Sequence, residues 1–179
     1  MVLLGALMPL PNYKPAFSNV LYGDDGTLLA ATISSEQQWC FAMDEVIPEK
    51  LEKCIINYED EYINWHPGIN IVSVIKSMIA NWRQKKVVRG ASTLAMQVMR
   101  MKNKHTTRSW PHKIKETLSA IKYSLLYSDK NIIKEWCEIA PFGGNTIGIK
   151  AASLRYFGRS VDQLSWAETA LLAVMPNSP

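Results

Sequence analysis

The stretch INYEDEYINWHPGIN, Ile56 to Asn70, closes one helix and opens the next, and the reading of the fold turns on it. Upstream, Pro48 opens a helix with Leu51, Cys54, Ile55 and Tyr58 on one face, because residues three and four apart share a side. That register places Glu59 and Asp60 in the helix's last turn. Downstream, His66-Pro67-Gly68 breaks the pattern, and Asn70 caps a second helix over Ile71 to Trp82.

Further along, the helical pattern continues. Ser92 or Thr93 caps a segment running through Met101, and Pro111 sits in the first turn of a longer helix carrying Ile114, Leu118, Ile121 and Leu125. Asn131 to Ile139 and Ile147 to Phe157 read as helices, and SWAE, Ser165 to Glu168, is a capping box that opens the last one. Only NVLYGDDGTLLAATI, Asn19 to Ile33, reads as two short strands around an Asp-Gly turn signal. There is no internal repeat, linker or low-complexity tract. The fold class is mainly α with a small N-terminal β-hairpin.

With 179 residues, 47% of them hydrophobic and 20% charged, the chain can bury a real core, which argues against disorder. Twenty Lys+Arg against sixteen Asp+Glu leave a net charge of +4, and the excess is concentrated. Arg100, Lys102, Lys104, Arg108, Lys113 and Lys115, with His105 and His112, precede the next acid, Glu116. An anionic partner is implied. Aromatics are not interleaved with these cations as stacking platforms, which argues against nucleic acid. The three cysteines, Cys40, Cys54 and Cys137, are odd in number and widely spaced, so they form neither a disulfide framework nor a metal motif and read as small buried hydrophobes. The entry MVLLGALMPLP is too short to span a bilayer and lacks the basic flank of a signal peptide. Residues 1–18 therefore read either as the trimmed end of a membrane anchor or as an apolar tail packed on the domain formed by residues 19–179.

Three clusters carry chemistry. Glu59 lies where unpaired carbonyls make a helix end negative, and Asp60 adds a charge, both of which push a carboxyl pKa upward and poise Glu59 to accept a proton from a hydroxyl. A solvated helix end and a structural His66 explain the same residues. In RGASTLAMQVMR, Arg89 to Arg100, small residues and the hydroxyls of Ser92 and Thr93 meet a helix N-terminus, a setting that suits phosphate, with Gln97 and Arg100 sharing one helix face. An ordinary N-capped helix has the same sequence. In HKIKE, His112 to Glu116, Lys113 and Glu116 are i,i+3 neighbours, which makes either a surface ion pair or a second carboxylate beside a cation. Two carboxylates with divided roles and a phosphate-type cation cluster are what sugar transfer from a diphosphate donor needs.

YEDEYINWHPG, RGASTLAMQ, HKIKE and APFGGNTIGIKAASLRYFGRSVDQLSWAETALLAVMPNSP occur in this order from Tyr58 to Pro179. In order and spacing they resemble the peptidoglycan glycosyltransferase (transglycosylase) domain of class A penicillin-binding proteins, glycosyltransferase family 51. The APFGG run and the INYED context look most like its 1C subtype. The resemblance covers Val20 to Pro179.

It implies a lysozyme-like helical domain that polymerises lipid II into β-1,4 glycan strands with inversion, releasing undecaprenyl diphosphate. By motif, Glu59 would be the general base and Glu116 the second glutamate near the donor diphosphate. Asp60 and His66 would shape the surroundings of Glu59. Ser92, Thr93 and Gln97 would line the cleft, and Arg100 and Lys113 would hold the diphosphate. Arg100 stands where many members have Lys, and its planar fork serves phosphate at least as well. No tightly bound cofactor is implied; a divalent cation such as Mg²⁺ would bridge carboxylate and diphosphate. The implied partners are lipid II, the growing glycan, the membrane surface and other cell-wall synthesis proteins. The implied location is the outer face of the bacterial cytoplasmic membrane. A stop at PNSP would make the chain a fragment of a larger protein. The Ser-x-x-Lys matches at Ser73 to Lys76 and Ser119 to Lys122 lie inside helices without a Lys-Thr-Gly partner, so no transpeptidase is read from them.

The chain departs from the family pattern at Ile63 (usually aromatic), Met101 (often Asn), His112 (commonly Arg), Asp129 and Asn131 (the Lys and Glu of SKxEI) and Glu138 (customarily Asn). These departures favour one alternative, a catalytically weak lipid II-binding or scaffolding domain of the same ancestry. A helical fold with a catalytic glutamate also permits a lysozyme-like glycan hydrolase, which the basic run ranks third because it favours a diphosphate donor over a neutral polymer. The apolar helix Ile71 to Trp82 is expected to pack on the core, with partial insertion into the membrane as the other outcome.

Overall fold

Leu51 and Ile55, one turn apart, are completely buried on helix α1 (Glu49–Glu59), so the expected apolar face does anchor it. Cys54 is half-buried and Tyr58 exposed, so that face is narrower than expected. The helix starts where the Pro48 carbonyl accepts from Leu51 and Glu52, with Glu49 and Glu52 placed favourably at its positive end. It stops one residue early: Asp60 is outside the helix and buried, because its carboxylate is taken by partners described below.

This computed structural model describes residues 9–43, 46–86, 90–103 and 109–177. The chain divides into two compact units, one of Met1–Asn12 with Asp60–Ile132, the other of Tyr13–Glu59 with Ile133–Pro179. The N-terminal entry up to Met8, Arg89, Lys104, His105, Arg108 and the final Ser178-Pro179 lie outside the described residues.

The second unit contains the expected antiparallel hairpin, β1 (Val20–Tyr22) and β2 (Leu28–Ala31), in the register Val20 with Ala31. The Asp-Gly signal works through Asp25, whose Oδ1 accepts from both the backbone and the hydroxyl of Thr27 while Gly26 turns at φ 79°. The same unit holds β3 (Trp39–Cys40) paired in parallel with β4 (Thr146–Ile147). It also holds α6 (Ile149–Phe157) and α7 (Trp166–Val174). The β3–β4 pair corrects the expected helix start at Ile147, since Thr146 and Ile147 are spent on the ladder. Gly148 follows at φ 81°, where a Cβ would stand 2.8 Å from the Glu138 carbonyl oxygen. The core here is Leu51, Ile55, Trp136, Phe142, Ile149, Leu164 and Leu172, with Trp136 and Phe142 edge to face at 6.5 Å. Helix α7 packs on α1. Its capping box is complete: Ser165 Oγ accepts from the Glu168 amide at 3.3 Å and Glu168 Oε2 accepts from the Ser165 amide at 2.8 Å. The Ser165 amide donating to it holds the Glu168 carboxyl below its ordinary range. Replacing Ser165 with Ala should cost about 1 kcal/mol in a thermal or denaturant melt.

The first unit contains α2 (Ile71–Gln84), α3 (Leu94–Lys102) and α4 (Trp110–Leu126). A further helix, α5 (Asp129–Ile139), starts in this unit, two residues earlier than expected, and runs on into the other. Asn70 caps α2 as expected, its Oδ1 accepting from the Ser73 amide at 2.9 Å. The packing expected of α2 does not hold. Ile71, Val72, Ile75, Met78, Ile79 and Trp82 are exposed, and Ser77 is its buried residue. Helix α3 is the centre of the unit, buried from Leu94 to Met99, and packs against α4. Helix α4 also faces the opposite way from its apolar spacing: Glu116, Ser119, Ala120 and Tyr123 are buried, while Ile114 and Leu125 are exposed. Small side chains at Ser119 and Ala120 let neighbouring backbone come close, which a stripe of isoleucine and leucine would prevent.

Two cysteines, Cys40 and Cys137, are buried and Cys54 is half-buried; all three are free thiols. Burial, aided by the Glu138 charge, pushes the Cys40 thiol up to about 11.

Candidate active site

In the second unit Glu59 is the last residue of α1 and half-buried, held in place by a helix that starts on the Pro48 carbonyl and whose Leu51 and Ile55 are sunk in the core. The other candidate residues belong to the first unit.

There, Asp60 and His66 form a buried pair, Oδ1 to Nε2 at 2.8 Å, with only 5% and 9% of their side chains exposed. The second Asp60 oxygen accepts from the Leu94 amide at 3.1 Å. A carboxylate at the first turn of α3 is favoured by the free amides and the helix dipole. Of the two readings of that helix end, the ordinary N-capped helix is the one these bonds support. The Leu94 amide is taken by Asp60, and the Met96 amide donates to Thr93 Oγ1 at 3.3 Å. Thr93 is therefore the cap, and its hydroxyl also donates to the Gly68 carbonyl at 2.7 Å, tying the His66-Pro67-Gly68 turn to α3.

The buried Nδ1 of His66 finds no hydrogen-bond partner among the described residues. Asp129, in the first turn of α5, is within electrostatic reach of this pair. Burial raises its carboxyl pKa most, the His66 charge lowers it and the Asp60 charge raises it. An acid whose folded pKa is raised favours folding when protonated and opposes it once ionised. Its cost thus appears as pH rises through the carboxylate range. Asp129→Asn is accordingly expected to melt higher than the parent chain at pH 7, with the difference vanishing toward about pH 3, below the ordinary carboxyl range. Equal melting temperatures at both pH values would refute that account.

A second cluster joins Ser92, Lys113 and Glu116. The Lys113 ammonium donates to Ser92 Oγ at 2.8 Å and to Glu116 Oε1 at 3.0 Å. The pair is no ordinary surface ion pair, since the Glu116 side chain is 11% exposed against 43% for Lys113. Gln97 is buried on α3 while Arg100, three residues on, is half-buried. Of the other cations in the basic run, Lys102 lies over the Tyr123 ring at 5.7 Å. His112 pairs with Ser109, Nδ1 to Oγ at 2.7 Å. Among the family departures, Ile63 is buried, so an apolar side chain fits there. The residue that pattern reading missed is Gly68, which fixes both the turn and Thr93. Its signal was the Pro-Gly dipeptide, read only as a helix breaker.

Two carboxylates, each held in a defined setting, and a lysine beside one of them are the parts the sequence motifs called for. The family model described as transglycosylase matches residues 25–179, which span all of these groups. The chain belongs to the transglycosylase family. It is also similar to individual penicillin-binding proteins. It is 35% identical to penicillin-binding protein 1C of Escherichia coli (strain K12) over 175 residues, covering 97% of this chain and 22% of that protein. It is 31% identical to penicillin-binding protein 1A of Aquifex aeolicus (strain VF5) over 170 residues, covering 95% of this chain and 23% of that protein. With penicillin-binding protein 1A of Clostridium tetani (strain Massachusetts / E88) it shares 30% identity over 170 residues, 93% of this chain and 21% of that protein. This transglycosylase chain spans about a fifth of the length of the curated relatives it matches.

Proposed function

We propose that the chain is a peptidoglycan glycosyltransferase that polymerises lipid II into β-1,4 glycan strands and releases undecaprenyl diphosphate. The observation that carries this reading is the transglycosylase match over residues 25–179. Glu59 serves as general base: it takes the proton of the acceptor sugar hydroxyl as that oxygen attacks the donor's anomeric carbon. The bond from that carbon to the diphosphate breaks on the opposite face, and the electron pair leaves with the diphosphate, which inverts the configuration. Lys113 and Arg100 offset the charge that develops on the leaving group. Asp60 and His66 hold the segment that follows Glu59 in the chain, and Thr93 and Gln97 belong to the helix α3 end on which Asp60 is fastened.

A resident metal site finds little support in these side chains. Among the described residues no three His, Cys, Asp or Glu side chains converge as ligands, and Asp60 and Glu116 already have protein partners. In this reading a divalent cation would be held chiefly by the substrate's diphosphate oxygens.

The lipid-linked substrate brings the domain to the membrane's outer face. Support comes from α2, whose exposed apolar side chains include Trp82 and are joined in the same unit by Trp65 and Trp110, all three tryptophans more than 80% exposed. Tryptophans of this kind favour the boundary between water and lipid. Among the described residues no helix is long and apolar enough to cross a membrane; the exposed apolar face and the tryptophans argue for contact with the surface.

Incubating the chain with labelled lipid II in detergent, and separately with finished glycan, tests the function. Elongated strands from lipid II are the expected product; release of fragments from glycan would replace the reading with a hydrolase. One observation favours a second reading, a lipid II-binding domain of low turnover: Asp129 brings an acid to the Asp60–His66 pair where the family pattern has a lysine. Binding of lipid II without elongation would select it.

A further inference from the structure

We infer that Ser92 and Glu116 are positioning residues that act on an anionic ligand through Lys113, holding its ammonium with one N–H left for a phosphate-type oxygen. The inference rests on the reading of a diphosphate substrate given above. A lysine ammonium has three donors, and among the described residues two of them are committed, to Ser92 Oγ at 2.8 Å and Glu116 Oε1 at 3.0 Å. The two acceptors come from different elements, the turn before α3 and the second turn of α4, so the ammonium is fixed from two sides. The burial is asymmetric in a useful way. Glu116 is shielded at 11% exposure while Lys113 keeps 43%, so the acid faces inward and the cation keeps an open side.

The platform under Ser92 is itself fixed. Ser77 Oγ donates to the Gly90 carbonyl at 3.0 Å, and Thr93 Oγ1 donates to the Gly68 carbonyl at 2.7 Å, so the turn is tied on both sides of Ser92. A free lysine samples many rotamers, and much of that freedom would be lost by an unassisted ammonium on binding an anion. Ordering it beforehand removes that loss from the binding step. Glu116 then works as the fixed counter-charge that sets where Lys113 points, instead of as a proton donor.

The test measures binding of inorganic pyrophosphate by calorimetry at low salt, alongside kcat and KM for lipid II elongation. Ser92→Ala should weaken pyrophosphate binding about three- to tenfold, the effect of losing one such hydrogen bond. It should raise KM more than it lowers kcat, and Ser92→Thr should restore both. Glu116→Gln, which keeps an acceptor for Lys113, should bind better than Glu116→Ala, and Lys113→Ala should bind least. The inference is overturned by a parent chain that binds no pyrophosphate, by Ser92→Ala binding within twofold of it, or by Glu116→Gln abolishing elongation and its pH dependence while binding stays normal. The predicted ranking in pyrophosphate binding without any elongation would keep the inference and remove the proposed function. Elongation with binding indifferent to Ser92 would do the reverse.

Discussion

Glu59→Gln is expected to cut lipid II elongation by about 10²- to 10⁴-fold, the range a general base typically supplies. Glutamine keeps the length and planarity of the side chain but has no basic oxygen to take the hydroxyl proton, so the loss should fall on kcat with KM little changed. Folding should survive. The helix is anchored by Leu51 and Ile55, more than a turn away. Removing a negative charge from the negative end of α1 does not work against the dipole. The measurement is the rate of strand growth from labelled lipid II, with a thermal melt of the variant beside it. A variant that folds normally and keeps more than about a tenth of the parent rate would show that Glu59 is not the base.

Gly68→Ala is expected to be the most destabilising small substitution in the first unit. Gly68 has φ +77°, a backbone conformation that costs a residue with a Cβ about 1 kcal/mol or more. A Cβ there would stand 2.4 Å from the Ala120 carbonyl oxygen, 2.6 Å from its carbon and 2.9 Å from the Ile121 nitrogen. All three are backbone atoms of α4, so the overlap cannot be relieved by rotating a side chain. The helix or the turn must move, and moving the turn breaks the bond from Thr93 Oγ1 to the Gly68 carbonyl. Strain and overpacking together amount to about 3 kcal/mol or more. For a chain of this size that lowers the melting temperature by roughly 6 to 12 °C. A fall of less than about 2 °C would mean that the close approach of the turn to α4 is not a structural requirement.

Helix positions were largely legible in the sequence because their signals are local. Asn70 caps α2 through a residue three places on, and the Ser165–Glu168 box closes over the same distance. Two of the boundaries that moved did so where another segment intervened. Asp60 left the end of α1 for partners on α3 and at His66, and Ile147 left the start of α6 for a ladder with Cys40. Burial was the weakest inference. Periodic apolar residues on α2 and α4 identified helices correctly but not their inward faces, since amphipathic spacing shows that a face is apolar without showing what covers it.

The sequence by itself determined the helical class, the hairpin, the caps and, through four ordered motifs, the family. Each of these depends on neighbours within a few residues or on the order of motifs along the chain. Only the tertiary structure decided that Asp60 serves the N-terminus of α3 across 34 residues and that Lys113 reaches Ser92 across 21. A carboxylate or an ammonium in a sequence carries a charge but no direction. Its partner is chosen by which backbone amides and hydroxyls the packed helices bring within about 3 Å, and that choice exists only once the chain has folded.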